Sequence, residues 1–246
     1  MAKKIAAIIC AAGPGSRFGG KRKKQFTDVA GRPVFLRSIE LFSNRDEVQQ
    51  ILLGIAPEDQ ETLKVNWGAK LSFFHVKTFL GGKERFETVR AALELLREDI
   101  ELVAVHDACR CCATEKLVTD VLAKAAKTGA AIPAAPVTAT IKQVKDGVIV
   151  RTVERSDLFE AQTPQVFETA LLKKAYANLD KLDQAAVTDD AFLVEALGHK
   201  VAIVESDASN LKITRPSDIA IAEAILKSRP KPLPAGSINP FAEAEW

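Results

Sequence analysis

The stretch Lys4-Ile5-Ala6-Ala7-Ile8-Ile9-Cys10-Ala11-Ala12-Gly13-Pro14-Gly15 decides the fold class. From Lys4 to Ala11 it is almost unbroken apolar sequence stopped by a Gly-Pro-Gly turn. A strand without polar alternation is one buried on both faces, as in a parallel sheet. Similar runs recur at 50–56, 71–76, 102–105, 130–135 and 201–204. Between them the spacing predicts helices over 33–42, with Pro33 in the first turn, over 86–96, with Phe86, Val89, Leu93 and Leu96 on one face, and over 115–126, closed by Gly129. Alternating strands and helices make an α/β protein: a Rossmann-like, mostly parallel sheet flanked by helices. Ligands of such sheets bind beyond the carboxyl ends of the strands, so the loops after Ala11 and Val105 are where chemistry is expected. Phe35, Phe42, Phe73 and Phe79 are expected in the core.

Two segments depart from the alternation. Residues 140–153 hold two strand-like runs around Asp146-Gly147, a hairpin signal. The segment 138–160 is therefore expected to protrude as a β-hairpin arm and serve as a dimer contact. Residues 229–246, with Pro230, Pro232, Pro234 and Pro240 and no periodicity, read as a mobile tail to a single domain over 1–228.

The chain of 246 residues, 47% hydrophobic and 27% charged, is long enough to bury a full core. A formal net charge of +2 and no basic stripe argue against a nucleic-acid partner. No apolar run approaches a membrane span, and 5–12 is too short for a signal peptide's apolar region plus cleavage site, so a cytoplasmic address is expected. Cys10, Cys109, Cys111 and Cys112 lack the spacing of a disulfide framework or a paired zinc motif and read as reduced thiols.

The loop after the first strand continues Ser16-Arg17-Phe18-Gly19-Gly20-Lys21-Arg22-Lys23-Lys24, with five basic side chains between Arg17 and Lys24 and no acid among them. Glycines let backbone N–H groups approach an anion, and the cations offset a triphosphate's charge. This is not a P-loop, because Arg22 occupies the Ser/Thr position after GxxxxGK. Nor is it a dinucleotide fingerprint, because Phe18 replaces the third glycine.

Read as AAGxGxRxG followed by Lys24-Gln25, the loop resembles that of the sugar-nucleotide pyrophosphorylase-like transferases. Four further segments narrow the resemblance: Val105-His106-Asp107-Ala108 with Arg110, Gln162-Thr163-Pro164-Gln165, Thr188-Asp189-Asp190, and Asn210-Leu211-Lys212-Ile213-Thr214. In this order they resemble the 2-C-methyl-D-erythritol 4-phosphate cytidylyltransferases over about residues 4–227. The resemblance implies a cytoplasmic homodimer that uses CTP and Mg²⁺ to form the CDP derivative of methylerythritol phosphate and pyrophosphate, in isoprenoid precursor synthesis by the non-mevalonate route.

Carried over residue by residue, the resemblance implies that the backbone of Ala11, Ala12, Gly13 and Gly15, with Arg17 and Lys24, holds the triphosphate, and that Lys212 reaches the α-phosphate from the other side. It implies cytosine and ribose contacts at Gly81, Gly82, Arg85 and Thr88, and a further nucleotide contact at Ala108. Asp107 is implied beside the metal and the transferred group. Arg110, Thr140, Arg155, Thr163 and Thr188 are implied around the acceptor, Arg155 reaching in from the second copy's arm. The pattern departs from the family at Cys109 and Cys111, which stand for alanine and proline of HDAARP, at Lys83, where an acid is usual, and at Thr88, where serine is usual. An ionised phosphate nucleophile needs no general base, so Arg17, Lys24 and Lys212 are expected to act by positioning and charge. His106 reads as a packed ring. Two rival readings are a cytidylyltransferase for another polyol phosphate, such as ribitol 5-phosphate, and a catalytically silent nucleotide-binding protein.

Overall fold

The computed structural model describes residues 3–15, 18–19 and 23–230. Arg17, Lys21, Arg22 and the tail beyond 230 lie outside these described residues. The strands are β1 (Ile5–Cys10), β2 (Asp28–Val29), β3 (Arg32–Pro33), β4 (Val48–Ile55), β5 (Val76–Leu80), β6 (Leu102–Asp107), β7 (Ala130–Pro136), β8 (Ile141–Lys145), β9 (Val148–Val153), β10 (Phe159–Ala161), β11 (Gln165–Glu168) and β12 (Ala202–Glu205). The α-helices are α1 (Val34–Ser43), α2 (Gln60–Phe73), α3 (Arg85–Leu93), α4 (Glu115–Thr128), α5 (Thr169–Ala177), α6 (Asp190–Glu195) and α7 (Ser217–Ser228).

Eight strands form one sheet in the order β10-β7-β11-β6-β1-β4-β5, with β12 also pairing with β7. β6, β1, β4 and β5 run parallel, whereas β11 lies antiparallel between β6 and β7. The sidedness of β1 explains its composition. Ile5, Ala7 and Ile9 enter one core with Phe35, Ile39, Leu63 and Val121, while Ala6 and Ile8 enter a second with Val89, Leu93 and Leu172. An unbroken apolar strand is what two helical layers require.

Helix ends follow local chemistry. Pro33 precedes α1, Thr114 Oγ1 accepts the Leu117 amide at the start of α4, and Gly129 closes α4 in the left-handed region at φ 79°. The expected strand over 71–76 is corrected: Leu71 belongs to the last turn of α2, and the strand begins at Val76. Leu63, Trp67 and Leu71 are buried at four-residue spacing, a helical face that outweighs the short apolar cluster after it. Phe73, expected in the core, is 77% exposed on that helix, whereas Trp67 stacks on Phe26 and packs edge-on to Phe35.

β8 and β9 pair with each other as a separate two-stranded sheet, turned by Asp146 and Gly147 at φ 51° and 78°. Val148, Ile149 and Val150 are exposed on this hairpin.

Candidate active site

β1 and β6 are adjacent and in register, with Cys10 opposite Asp107, so their carboxyl ends deliver two loops to one place. A cleft of ≈ 570 Å³ opens there, with Ala11, Ala12, Gly13 and Lys24 on one wall and Gly82, Arg85 and Thr88 on another, above Asp107 and Lys212. The loop is tied down by Gln25, whose buried amide Nε2 donates to the Ala11 carbonyl at 2.9 Å. Gly81 brings the opposite wall close. A Cβ on it would stand 2.5 Å from Ala12 Cβ and 2.7 Å from Thr88 Oγ1, nearer than side chains allow. Thr88 Oγ1 accepts the Gly82 amide at 3.1 Å, so this threonine shapes the wall it lines.

The basic run is divided by contacts invisible in local sequence. Lys23 Nζ pairs with Glu58 at 2.7 Å and Asp59 at 2.8 Å, whereas Lys24 faces the cleft. Arg17 lies outside the described residues.

The floor is a cluster of charge. Asp107 Oδ1 accepts from Arg85 Nε at 2.9 Å, Oδ2 pairs with Lys212 Nζ at 2.7 Å, and Arg110 Nε lies 3.8 Å from Oδ2. Burial pushes the Asp107 carboxyl up, but Arg85, Lys212 and Arg110 outweigh it and hold it well below the usual carboxylate range. Its backbone amide donates to Thr163 Oγ1 at 3.1 Å. Thr163 Oγ1 is also 3.0 Å from Nδ1 of His106, which is buried and packed edge-on to Phe42. Burial lowers the His106 pKa to about 4, so the ring is neutral at pH 7.

A second cleft of ≈ 480 Å³ lies on the other side of this floor, bounded by Arg110, Gln162, Thr163, Gln165, Thr188 and Asp189. Arg85, Asp107 and Lys212 line both clefts. Two ligands seated in these spaces would meet across one cationic wall, an arrangement suited to group transfer between anions.

The structure therefore gathers Ala11, Ala12, Gly13, Lys24, Gly82, Arg85, Thr88, Asp107 and Lys212 at the first cleft, and Arg110, Thr163 and Thr188 at the second. Ala108 is placed beneath them. It is fully buried, its amide donates to the Cys10 carbonyl at 3.1 Å and its carbonyl accepts from Ser38 Oγ at 2.8 Å, so it supports the floor. Thr140 and Arg155 line neither cleft in the single chain; Arg155 sits exposed beside the hairpin and donates to the Thr138 carbonyl. Gly15, at φ 67°, does not itself line the first cleft, but a Cβ on it would stand 3.7 Å from the side chain of Lys24, which does.

Cys109 lines the first cleft and burial raises its thiol to about 11, whereas Cys111 and Cys112 pack with Val29, Val34, Ile213 and Ala222. All three thiols are free. Among the described residues no group of three His, Cys, Asp or Glu could form a metal cage, and no helix is long and apolar enough to cross a membrane.

Asp190, Tyr176, Gln162 and Asn210 hold the site without having been singled out from sequence. Asn210 Nδ2 donates to Gln162 Oε1 and to the Thr163 carbonyl at 2.8 and 3.0 Å, and its own carbonyl accepts from Arg110 at 2.7 Å. Gln162, Asp190 and Asn210 lay in the recognised motifs without a role, while Tyr176 carried no signal beyond being the sole tyrosine.

A family model described as IspD, 2-C-methyl-D-erythritol 4-phosphate cytidylyltransferase, matches residues 5–228. A relative of that name from Endomicrobium trichonymphae is 43% identical over 226 residues, covering 92% of this chain and 100% of the relative. One from Bacillus licheniformis is 39% identical, covering 90% and 95%. The solved structure of 4-diphosphocytidyl-2C-methyl-D-erythritol synthase from Anaerococcus prevotii superposes with TM-score 0.78 at 29% identity, covering 92% of this chain and 97% of that one. The 2-C-methyl-D-erythritol 4-phosphate cytidylyltransferase of Thermus thermophilus gives TM-score 0.73 at 32% identity, covering 91% and 99%.

Proposed function

The chain belongs to the 2-C-methyl-D-erythritol 4-phosphate cytidylyltransferase family, and on that premise we propose that it transfers the cytidylyl group of CTP to 2-C-methyl-D-erythritol 4-phosphate, releasing pyrophosphate. The observation that carries the reading is the shared wall: Lys212 and Asp107 border both clefts. The nucleotide occupies the first cleft, its phosphates along Ala11 to Gly13 and Lys24, and the acceptor phosphate occupies the second near Arg110, Thr163 and Thr188.

Attack of a phosphate oxygen on the α-phosphate brings two anions together, and the leaving pyrophosphate gains charge. Lys24 and Lys212 approach from opposite sides and offset that charge, while the clefts fix the two reactants in line. In the free protein Lys212 rests on Asp107. With substrate bound it shifts to the phosphate, and Arg85 and Arg110 retain Asp107. His106, neutral and buried, contributes packing and no proton transfer.

The donor chemistry fits a magnesium ion. Mg²⁺ is commonly held by one or two carboxylates plus substrate phosphates, and Asp107 is a carboxylate on the shared floor. Asp107 would hold it together with the nucleotide; when bound, the ion neutralises charge on the phosphates.

We extend the proposal to the assembly. Arg155 lies outside both single-chain clefts, and the exposed Val148, Ile149 and Val150 of the hairpin suit a contact with a second copy. A homodimer exchanging hairpins brings each Arg155 to the other copy's acceptor cleft.

The test is pyrophosphate release with CTP, Mg²⁺ and either methylerythritol phosphate or ribitol 5-phosphate. Turnover with the former at least tenfold faster supports the reading. Preference for ribitol 5-phosphate replaces the acceptor, and silence with both removes the enzymatic reading.

A further inference from the structure

Behind the floor lies a second line of contacts that neither cleft explains. Arg85 is the first residue of α3, whose start is fixed by a capping box between Glu84 and Glu87. Its guanidinium bridges two carboxylates, with Nε on Asp107 Oδ1 at 2.9 Å and Nη1 on Asp190 Oδ2 at 2.6 Å. Asp190 has a side-chain exposure of 0% and lines neither cleft. Its other oxygen accepts from Tyr176 Oη at 2.5 Å. Tyr176 is also buried, and burial followed by the neighbouring Asp190 pushes its hydroxyl well above the ordinary range, so it stays a donor.

Asp190 is itself anchored. Its amide and that of Ala191 donate to Gln165 Oε1 at 3.0 and 3.1 Å, while Gln165 Nε2 donates to Asp189 Oδ2 at 2.7 Å. A buried carboxylate fixed by its backbone and both oxygens is a rigid seat for a planar, forked donor. A buried ion pair is weak evidence for stability, because desolvation offsets its attraction. The chain Tyr176–Asp190–Arg85–Asp107 ends on the residue shared by both substrate spaces, which points to positioning.

We propose that Asp190 and Tyr176 are positioning residues for the transfer reaction, clamping Arg85 from behind so that Asp107 stays in place when Lys212 leaves it for the phosphate. The inference rests on the transferase reading above. In the free protein Asp107 has Lys212 at 2.7 Å, Arg85 at 2.9 Å and Arg110 at 3.8 Å; once Lys212 leaves, Arg85 is the close side-chain cation that remains to hold the carboxylate for the metal and the nucleotide. Without Asp190 the guanidinium is free to swing toward the polyphosphate, and Asp107 loses its place at the moment of transfer.

The experiment measures kcat and the KM for CTP in Asp190→Asn, Tyr176→Phe, Arg85→Gln and the Arg85→Gln/Asp190→Asn pair. Loss of a charge-assisted contact is expected to lower kcat about thirtyfold in Asp190→Asn, and loss of one hydroxyl about fivefold in Tyr176→Phe, with KM for CTP within about threefold. The paired variant is expected to be no slower than Arg85→Gln alone, because Asp190 acts through Arg85. A role in stability alone lowers the melting temperature and leaves these ratios unmoved.

Wild-type kcat in Asp190→Asn, or multiplicative losses in the pair, overturns the proposal. If Asp190→Asn does not fold, Tyr176→Phe decides, and an unchanged kcat there overturns it equally. An active wild type with indifferent variants sinks this inference alone, whereas a wild type that makes no product sinks the transferase reading and the inference together.

Discussion

Replacing Lys212 with alanine separates chemistry from folding in this site. The ammonium sits 2.7 Å from Asp107 on a side chain that is 36% exposed. After solvent screening the pair stabilises the fold by no more than about 1 kcal/mol, a melting shift of roughly 2 to 4 °C at this size. Asp107 keeps Arg85 at 2.9 Å and Arg110 at 3.8 Å, so its carboxylate stays paired and the floor persists. At the transition state the same lysine offsets charge developing on the α-phosphate, where loss of one preorganised donor removes about 3 to 4 kcal/mol, or 10²- to 10³-fold in kcat. Pyrophosphate release at saturating CTP and acceptor measures the first effect, and a thermal melt of the same sample measures the second. The reasoning fails if turnover stays within threefold of wild type while the protein is folded.

Gly81→Ala places a methyl 2.5 Å from Ala12 Cβ. It is expected to lower stability by about 1 to 3 kcal/mol and to weaken CTP binding at least tenfold by calorimetry; unchanged affinity contradicts the close-wall account. His106 titrates near 6.5 when unfolded and near 4 in the fold, so the unfolded chain binds more protons between those values. Stability is therefore expected to fall as pH drops from 6.5 to 4, by about 3 kcal/mol in total. His106→Gln should flatten that slope in urea melts, and parallel slopes would rule the histidine out as its source. Arg155→Ala is expected to raise the KM for the acceptor about tenfold with KM for CTP within twofold; equal rises in both would remove Arg155 from the acceptor space.

The parallel core of the fold was legible because burial on two faces leaves its mark in composition: β1, β4, β6 and β7 read as apolar runs, and α1 and α4 announced themselves by Pro33 and Gly129. α2 was hidden because its buried face is three residues, Leu63, Trp67 and Leu71, among exposed polar positions. β10 and β11 are short and antiparallel within a mainly parallel sheet, an order set by long-range pairing.

In the site, glycines and cations adjoining a strand end were readable locally. The division between Lys23 and Lys24 was not, since Glu58 and Asp59 reach Lys23 from 35 and 36 positions away. Arg85 and Asp190 are 105 positions apart, so their pairing belongs to topology. The resemblance named Arg85 as a nucleotide contact, and the structure adds that its Nε and Nη1 are committed to two carboxylates.

The most direct test of the shared-wall account is a crystal structure of the protein with CTP and magnesium. It is expected to show the triphosphate along Ala11 to Gly13, with Lys24 on one side and Lys212 Nζ drawn from Asp107 to within hydrogen-bond reach of the α-phosphate. A triphosphate bound elsewhere, or an α-phosphate beyond the reach of Lys212, would contradict the claim that the two clefts form one transfer site.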